Sequence, residues 1–533
     1  VDDEVQVYWA QDYETARELV ITTYFSLIVI DLVLDETKET VPDQWGGLML
    51  IWDIVDLNLQ GSRAVVVRTS YPDPDVERRA FGRYGVADFL TKKGSTTREL
   101  AAEFQELVAQ RNYFGMCCLV DFQDGLSWEE MVRVCTRRQN QALAARMGRD
   151  LGCAELEGLF RLTFDDCRGI AVHPMSLGAS GTGLVRVERE FMDGSRGASV
   201  VAKFGDIEMI QRELDGWHHL EKYLHAARAT EIISSRLGLG LGVLEYRFLG
   251  AGVEQLRTFD NFYATASARD VERSVDRLFR ETCALWYEES NRTAVEQDRL
   301  DAYYQSALGI DVERLVKGYE FRFGKPCRVE EVVSYAELDH DLPHVVAMMQ
   351  EGALRFLTDT WRCRTHGDLH SQNLLVTQDD GQCWLVDFGR SGSGHWARDF
   401  AILESSIRFQ MLLNNDLNDL FEFESVMAAP EELGGTAELS GIRDPSTLKA
   451  AEVIQALRRT AAGMVDPYPR DRAFAEYLVA LVFASTKLLE FHQLLDRKWR
   501  KHHVLIACGV MLDRLRIAAD TDGLIGWSDR AEH

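Results

Sequence analysis

The feature that most constrains the fold of this chain is a polar loop that leads directly into a short hairpin. The loop runs from Thr365 to Gln372 and reads Thr-His-Gly-Asp-Leu-His-Ser-Gln, and Asn373 follows it. Apolar residues on both sides of a turn at 379–381 predict two short strands, and Asp387 ends the second. The hairpin therefore brings Asn373 and Asp387 to the same end, close in sequence to Asp368.

These three polar side chains form a set with a recognisable chemistry. Phosphoryl transfer from a nucleoside triphosphate requires one carboxylate that orients the attacking hydroxyl and two oxygen ligands for Mg²⁺. Asp368 suits the first task, and Asn373 and Asp387 suit the second. Because the loop, the hairpin and the three polar residues coincide at fixed offsets, a chance surface loop explains them poorly.

An upstream segment has the pattern of a phosphate-binding turn. The run 177–185 reads Leu-Gly-Ala-Ser-Gly-Thr-Gly-Leu-Val and lies between two predicted strands. Residues without a Cβ atom allow backbone amides to approach phosphate oxygens. The candidate nucleotide-binding residues of this turn are Gly178, Ser180, Gly181 and Gly183. Glycine turns are common, so this pattern alone does not identify a nucleotide site.

The elements that follow supply a lysine and a glutamate at suitable spacing. A predicted strand ends in Lys203, which suits pairing with the α- and β-phosphates. Glu213, ten residues later on a predicted helix, is the expected partner of this lysine, and Glu208 is the competing partner. The segment 242–249, which contains Tyr246, reads either as a connection between two lobes, whose backbone would contact adenine, or as an ordinary core strand.

Together these residues resemble the aminoglycoside phosphotransferase group of the protein-kinase-like superfamily. Residues 366–368 read His-Gly-Asp, where protein kinases usually have His-Arg-Asp, and Asp-Phe-Gly-Arg begins at Asp387. Asp399 then begins an Asp-x-Ala motif, and the eleven residues between it and Asp387 are too few for a peptide-docking activation segment. The resemblance covers roughly residues 170–520.

This resemblance implies a bilobal protein-kinase-like fold with ATP and Mg²⁺ as cofactors and a hydroxyl group as acceptor. The N-lobe would span residues 170–250, and a mainly helical C-lobe would span 251–533. The implied roles are catalytic base for Asp368, metal ligands for Asn373 and Asp387, and nucleotide binding for the glycine turn, Lys203, Glu213 and Tyr246. Asp399 is expected to cap the helix that follows it.

Residues 1–110 predict a separate small domain. Short β-branched runs alternate with helical patterns, which is typical of a doubly wound sheet with its site at the carboxyl ends of the strands. Asp31, Thr69 and Lys92 lie at those ends. The segment resembles a response-regulator receiver domain, in which an aspartate accepts a phosphoryl group and a hydroxyl and a lysine sense it. The three residues are then a candidate phosphoacceptor site.

Receiver domains also carry an acidic pair at their first strand. Asp2 and Asp3 resemble that pair, but only 27 residues lie between Asp3 and Asp31, too few for the expected helix and strands. We therefore expect the first strand and helix to precede residue 1 or to be partly missing. A receiver-like interaction module that is not phosphorylated is the alternative.

Residues 111–169 predict mainly helices without visible chemistry, so we expect a helical connector. The formal charge of −26 argues against general binding to nucleic acid or to an anionic membrane. No apolar run approaches the roughly 18 residues that a membrane span requires. The ten cysteines form no C-x-x-C pair, as is typical of buried thiols in a reducing cytoplasm.

A second charged feature concerns the acceptor. Four acidic residues near the C-terminal helices form a cluster that would receive an amine-bearing substrate or would simply be a solvated face. They are Asp416, Asp419, Glu422 and Glu424.

The sequence as a whole predicts an α/β and α+β multidomain protein of the bacterial signalling type. Its expected function is a cytoplasmic phosphotransferase, dependent on ATP and Mg²⁺ and regulated through the receiver-like domain, which would also mediate a homodimer. The acceptor, a small molecule or a protein, is left open. The alternatives are a pseudokinase scaffold without turnover and a phosphorelay component whose functional centre is Asp31.

Overall fold

The structure is a computed structural model and is mixed α/β. It describes residues 7–23, 25, 27–34, 46–56, 64–70, 88–91, 118–136, 149–177, 181–224, 230–248, 256–324, 326–327, 333–334, 341–491, 498–522 and 526–527. The chain divides into two compact units. The first comprises Val1–Leu214, Glu231–Phe248 and Gly252–Glu254, and the second comprises Asp215–Thr230, Leu249–Ala251 and Gln255–His533.

The first unit begins with a small parallel sheet. Its strands are β1 (Leu27–Ile30), β2 (Ala64–Thr69) and β3 (Asp88–Thr91), in the order β1-β2-β3. Helices α1 (Tyr13–Thr22) and α2 (Gly46–Asp56) share one apolar core with β1 and β2. The predicted parallel sheet is therefore confirmed for the described residues. Both described helices join the same core, so the doubly wound arrangement and the receiver-like identity stay predictions.

A six-stranded sheet follows the small parallel sheet in the chain. Its strands are β4 (Leu119–Phe122), β5 (Cys167–Leu177), β6 (Thr182–Phe191), β7 (Val200–Asp206), β8 (Thr230–Leu237) and β9 (Leu241–Phe248). Their order in the sheet is β4-β5-β6-β7-β9-β8. β4 pairs parallel with β5, and the pairs from β5 through β6 and β7 to β9 are antiparallel. β7 is buried at every position, as expected for a central strand.

Two helices cover one face of this sheet. Helices α3 (Trp128–Cys135) and α4 (Arg149–Thr163) share a core with side chains of β7 that include Ala202 and Phe204. The expected helical connector at 111–169 is corrected by this finding, because β4 belongs to the sheet and both helices belong to its core. The apolar stripes of the helices were visible in the sequence, but their packing against this sheet was not.

Helix α5 (Ile207–Leu220) follows β7 directly. Since side chains alternate along a strand, Lys203 points to the face opposite Ala202 and Phe204. A hydrogen bond joins Lys203 to Glu213 of α5, so this helix lies on the second face of the sheet. The two faces thus have different partners: apolar side chains of α3 and α4 on one face, and α5 with the carboxylate of Glu213 on the other.

The second unit is dominated by helices. They are α6 (Phe259–Thr265), α7 (Ala268–Arg277), α8 (Leu300–Ala307), α9 (Val312–Phe323), α10 (Val345–Gln350), α11 (Arg398–Ser406), α12 (Leu417–Ala428), α13 (Pro445–Val465), α14 (Arg470–Leu488) and α15 (Lys498–Asp522). A π-helical turn, Ile407–Met411, continues α11. Among the helices that the structure describes, none combines the length and apolar composition that crossing a bilayer requires.

Short strands complete the second unit. They are β10 (Leu256–Thr258), β11 (Thr293–Arg299), β12 (Val333–Ser334), β13 (Asp341–Leu342), β14 (Phe356–Thr365), β15 (Leu374–Thr377), β16 (Cys383–Leu385), β17 (Gly392–His395) and β18 (Gly526–Trp527). One sheet has the order β10-β15-β16, and a second has the order β11-β14-β17 with β18 on β14. The polar loop predicted from the sequence lies between β14 and β15.

Candidate active site

The first unit contains a buried ion pair at the predicted position. The Nζ atom of Lys203 lies 2.8 Å from Oε2 of Glu213, and the two side chains are only 5% and 1% exposed. Glu208, the competing partner, instead pairs with Arg212 at 3.3 Å on an exposed helix face. The structure thus selects Glu213 as the partner of Lys203, because the buried face of α5 carries Glu213 and its exposed face carries Glu208.

Tyr246 lies in one of the two places that the sequence left open. It was expected either in a connection between lobes or in an ordinary core strand, and it lies inside β9, opposite Val201 of β7. Its side chain is fully buried, and its hydroxyl donates a hydrogen bond to Oε1 of Glu213. The reading of this segment as an ordinary core strand is therefore the correct one, and the sequence did not reveal the hydroxyl contact.

The two strands that flank the predicted glycine turn are present and antiparallel. β5 and β6 pair with Leu177 opposite Gly183. Gly181 has a φ of +91°, which a glycine adopts without strain. Gly178 and Ser180 lie outside the described residues.

In the second unit, the predicted hairpin is present and brings two candidate metal ligands together. β15 and β16 pair antiparallel with Leu374 opposite Leu385. Asn373 precedes the first strand, and its carbonyl accepts a hydrogen bond of 3.1 Å from the amide of Val386, next to Asp387. The amide Nδ2 of Asn373 donates at 2.9 Å to the carbonyl of Asp368. The three predicted residues are therefore neighbours in one loop and hairpin.

The backbone at two of these positions is unusual. Asp387 has a φ of +69°, a conformation that costs a residue other than glycine about 1–2 kcal/mol. Gly367 has a φ of +80°, and a Cβ atom there would lie 2.1 Å from the carbonyl oxygen of Arg390. Glycine adopts this conformation without strain, so the strain lies at Asp387. Strain of this kind persists where surrounding contacts enforce it, and it concentrates at functional sites.

Asp399 binds the backbone at the start of the loop, and its predicted role as a helix cap is wrong. Its Oδ2 accepts 2.7 Å from the amide of His366, and its Oδ1 accepts 2.8 Å from the amide of Gly367. Helix α11 instead has Ala397 at its N-cap position, without a side-chain cap. Burial raises the pKa of the Asp399 carboxyl, and the positive charge of Arg398 and the two amides oppose that rise.

Arg398 is a residue that the sequence analysis missed. It is 6% exposed, and its Nη2 donates 2.6 Å to the carbonyl of Gly367. Asp399 and Arg398 therefore hold Gly367 from its amide and its carbonyl sides. The signal in the sequence was a pair of opposite charges inside the otherwise apolar run 396–401. Charges in such a run are rarely buried unless they are paired.

Other polar residues of the loop have mainly structural contacts. His366 is fully buried, and its Nε2 lies 3.0 Å from the carbonyl oxygen of Val386. The Nδ1 atom of His370 accepts from the amide of Gln372 at 3.2 Å. Arg390, whose side chain is 48% exposed, places its Nε 3.8 Å from Oδ2 of Asp368. The histidines thus make structural contacts, and Arg390 is the cation nearest to the candidate base among the described ion pairs.

The structure divides the predicted acidic cluster. Asp416 is exposed and caps α12 by accepting from the amides of Asn418 and Asp419. Asp419 and Glu422 are also exposed on this helix. Glu424 is buried and paired with Arg408, so it does not belong to that face. Binding of an amine-bearing acceptor by the exposed acids stays a prediction.

In the N-terminal sheet, two of the three predicted phosphoacceptor residues lie at one edge. Asp31 follows β1, and Thr69 ends β2 and is fully buried. The two strands are parallel neighbours, so their carboxyl ends meet at the same edge. Lys92 lies outside the described residues. Phosphorylation of Asp31 stays a prediction.

Three solved structures resemble the chain loosely. The aminoglycoside phosphotransferase APH(3'')-Id from Streptomyces rimosus is 13% identical with a TM-score of 0.33, over 63% of this chain and 97% of that chain. A choline kinase from Cryptosporidium parvum is 13% identical with a TM-score of 0.30, over 67% and 91%. An ethanolamine kinase from Plasmodium vivax is 9% identical with a TM-score of 0.26, over 64% and 85%. These TM-scores are too low to carry an argument.

No curated protein sequence matches this one. The family model described as Ternary complex associated domain 9 matches residues 170–338 and 339–490. The matched stretches include both the buried pair at Lys203 and the polar loop at Asp368. Since they cover more than half of the chain, the protein belongs to the family described as Ternary complex associated domain 9.

Proposed function

We propose that the protein is a phosphotransferase, dependent on ATP and Mg²⁺, that moves the γ-phosphate to a hydroxyl acceptor. The observation that carries the proposal is the loop and hairpin in which Asp368, Asn373 and Asp387 are neighbours, because phosphoryl transfer uses a carboxylate and two oxygen ligands in this order. The buried pair of Lys203 and Glu213 supports it independently.

The donor set at the hairpin suits Mg²⁺. This cation prefers carboxylate and carbonyl oxygen ligands and keeps several waters. The Nδ2 atom of Asn373 donates to the carbonyl of Asp368, so the amide oxygen is the atom that it offers to a cation. The strained backbone of Asp387 fits a carboxylate that is held for a purpose. Asn373 and Asp387 would hold the metal, which when bound neutralises charge on the phosphate oxygens.

In the proposed reaction, Asp368 orients the acceptor hydroxyl and accepts its proton. The acceptor oxygen forms a bond to the γ-phosphorus while the bond from that phosphorus to the bridging oxygen breaks, which releases ADP. Lys203 holds phosphate oxygens, and Glu213 fixes the position of this lysine. Asp399 keeps the amides of the loop in place during the reaction, which limits the cost of reorganisation.

The proposal includes regulation of the phosphotransferase by phosphorylation of Asp31 at the N-terminal sheet. Asp31 and Thr69 lie at the carboxyl edge of parallel strands, where open α/β sheets place their sites. Incubation with acetyl phosphate followed by intact-mass measurement tests the assignment. We expect one acid-labile phosphate that Asp31→Asn abolishes, and a mass that does not change would remove regulation by phosphorylation from the proposal.

Turnover tests the proposed reaction directly. ADP release from ATP and Mg²⁺ is measured for the intact chain, for Asp368→Ala and for Asp387→Ala, with Asp379→Ala in the exposed hairpin turn as control. We expect a loss of at least about 100-fold in the first two variants, typical of lost transition-state contacts, and no change in the control.

The same samples separate catalysis from scaffolding. The family description names an association with a ternary complex and no reaction. Binding of a fluorescent ADP analogue is therefore measured beside ADP release. If the intact chain binds nucleotide and all variants share one background rate, the protein is a scaffold and the proposed reaction is wrong.

A further inference from the structure

We infer that Tyr246 is a positioning residue whose hydroxyl holds the Glu213 carboxylate in the orientation that pairs with Lys203. The inference rests on the proposed function, in which Lys203 binds nucleotide phosphates. It goes beyond that function because it assigns the positioning of the Lys203 side chain to a residue of β9. That residue has no contact with phosphate or metal in the proposed reaction.

The register of the sheet brings the hydroxyl and the lysine to the same face. In the antiparallel pair of β7 and β9, Lys203 is opposite Leu244 and Val201 is opposite Tyr246. Opposed residues share a face of the sheet, and so do residues two positions apart on one strand. Lys203 and Tyr246 are therefore diagonal neighbours on the face that α5 covers.

The carboxylate of Glu213 reaches both strands from the helix. Its Oε2 accepts 2.8 Å from Nζ of Lys203, and its Oε1 accepts from the hydroxyl of Tyr246. The three residues are 4%, 1% and 0% exposed for Lys203, Glu213 and Tyr246. Each oxygen of one carboxylate is thus bound by a different strand, so the plane of the carboxylate cannot rotate without breaking a contact.

The packing of α5 explains why Glu213 reaches so far. A Cβ atom at Gly242 of β9 would lie 2.8 Å from Cγ2 of Ile210, so the glycine allows the helix to approach this strand closely. Ile210 is fully buried and precedes Glu213 by three residues, which places both on the same helix face. Close packing at Ile210 therefore delivers Glu213 to the two strands.

Removing the hydroxyl should loosen the pair. Tyr246→Phe keeps the ring and its packing but takes one donor from a buried carboxylate, and a buried acceptor that loses a donor is costly. The carboxylate is then free to turn toward other donors. Lys203 would spend more time away from its pairing position and would become more reactive.

The experiment measures the lysine itself. The intact protein and Tyr246→Phe are treated with limiting acetic anhydride, and acetylation of Lys203 is quantified by mass spectrometry against the other lysines. We expect acetylation of Lys203 to rise roughly tenfold in the variant, the size of effect that one lost buried hydrogen bond produces. This readout does not need turnover, so it stands even where the proposed phosphotransfer fails.

Two controls test whether the effect on Lys203 is specific to Tyr246 and acts through Glu213. Tyr287→Phe removes a buried hydroxyl that has no hydrogen-bond partner among the described residues, and it should leave Lys203 unchanged. In a Glu213→Ala background, Tyr246→Phe should have no further effect on Lys203, because the hydroxyl acts through the carboxylate. Unchanged acetylation in Tyr246→Phe, an equal rise in Tyr287→Phe, or a full additional rise in the Glu213→Ala background would each overturn the inference.

Measuring turnover then tests whether the position of the Lys203 side chain affects ATP binding. For an active protein we expect Tyr246→Phe to raise the KM for ATP several-fold while the melting temperature stays near that of Tyr287→Phe. A variant whose Lys203 is more reactive but whose KM for ATP is unchanged would show that this lysine does not bind nucleotide, and the role of Tyr246 as a positioning residue for catalysis would fall with it.

Discussion

Buried charge is arranged differently in the two units of this protein. In the first unit, Lys203 and Glu213 form a pair to which Tyr246 adds a hydroxyl. In the second, the carboxylate of Glu404 is bound by two guanidinium groups, with Arg408 at 2.6 Å and Arg458 at 2.8 Å. Both sets are almost fully buried, so burial by itself does not distinguish them.

The set in the second unit extends over several helices. Arg408, in the π-helical turn after α11, also pairs with Glu424 of α12. Nε2 of His503, on α15, lies 2.7 Å from Glu424, and the hydroxyl of Tyr477, on α14, donates 2.6 Å to Glu404. The guanidinium groups hold the pKa of both glutamates below their usual range, although burial alone would raise it.

The difference lies in the kind and number of donors. A guanidinium presents a rigid planar fork and is always charged, which suits a permanent contact between helices. An ammonium is a compact charge on a flexible stem, which suits a group that must turn toward a ligand. The network of Glu404 therefore joins several helices, whereas the pair of Lys203 and Glu213 is the one to which the proposed function assigns ligand binding.

The largest effect is expected from a substitution that breaks the network of Glu404. Arg408→Met leaves Glu404 and Glu424 without a shared partner in the core, and such a loss costs about 3–5 kcal/mol of the free energy of unfolding. Denaturation by urea measures it. Arg470→Met is the control, because its partner Asp466 lies 3.2 Å away and both side chains are about half exposed, so less than about 1 kcal/mol is expected. Equal losses in both variants would contradict the comparison.

An intermediate effect is expected at the loop. Asp399→Asn replaces one accepting oxygen by a donor that would face a backbone amide, which costs about 1–3 kcal/mol. We expect ADP release to fall about 10- to 100-fold while the protein stays folded, as judged by circular dichroism. Asp471→Asn, in the exposed first turn of α14, is the control. Full activity in Asp399→Asn would show that the loop keeps its conformation without this carboxylate.

The smallest effect concerns pH. Burial raises the pKa of Glu245 on β9 to about 7, although Arg189 at 3.2 Å opposes the rise. The folded state therefore binds a proton more tightly than the unfolded state does, for which the ordinary value is 4.5. This contribution to stability is fully present below pH 4.5 and is lost as the pH rises through about 7.

The variant Glu245→Gln tests whether Glu245 makes the free energy of unfolding fall as the pH rises. The variant should lose the decline in the free energy of unfolding between pH 4.5 and 7, and so it should gain stability relative to the intact protein at pH 8. Glu231→Gln, on the neighbouring strand β8, is the control. A decline that survives in Glu245→Gln would assign the titration to another group.

Much of the candidate site was predictable because it is local. The hairpin of β15 and β16 joins residues that are few positions apart, and turn residues and apolar runs define such pairs. The glycine turn and the spacing from Lys203 to Glu213 follow from one strand, one turn and one helix. In contrast, the contact of Asp399 with residues 366–367 joins positions more than 30 residues apart. No periodic pattern in the sequence predicts such a contact.

The sequence by itself determined the order of chemically suited residues, Lys203, Asp368, Asn373 and Asp387, and the short elements that carry them. Only the tertiary structure decided that α3 and α4 cover the sheet, that Tyr246 binds Glu213, and that Asp399 holds the loop. The physical reason is that propensity and side-chain period act over one element, whereas the partner of a buried polar group depends on which elements pack together.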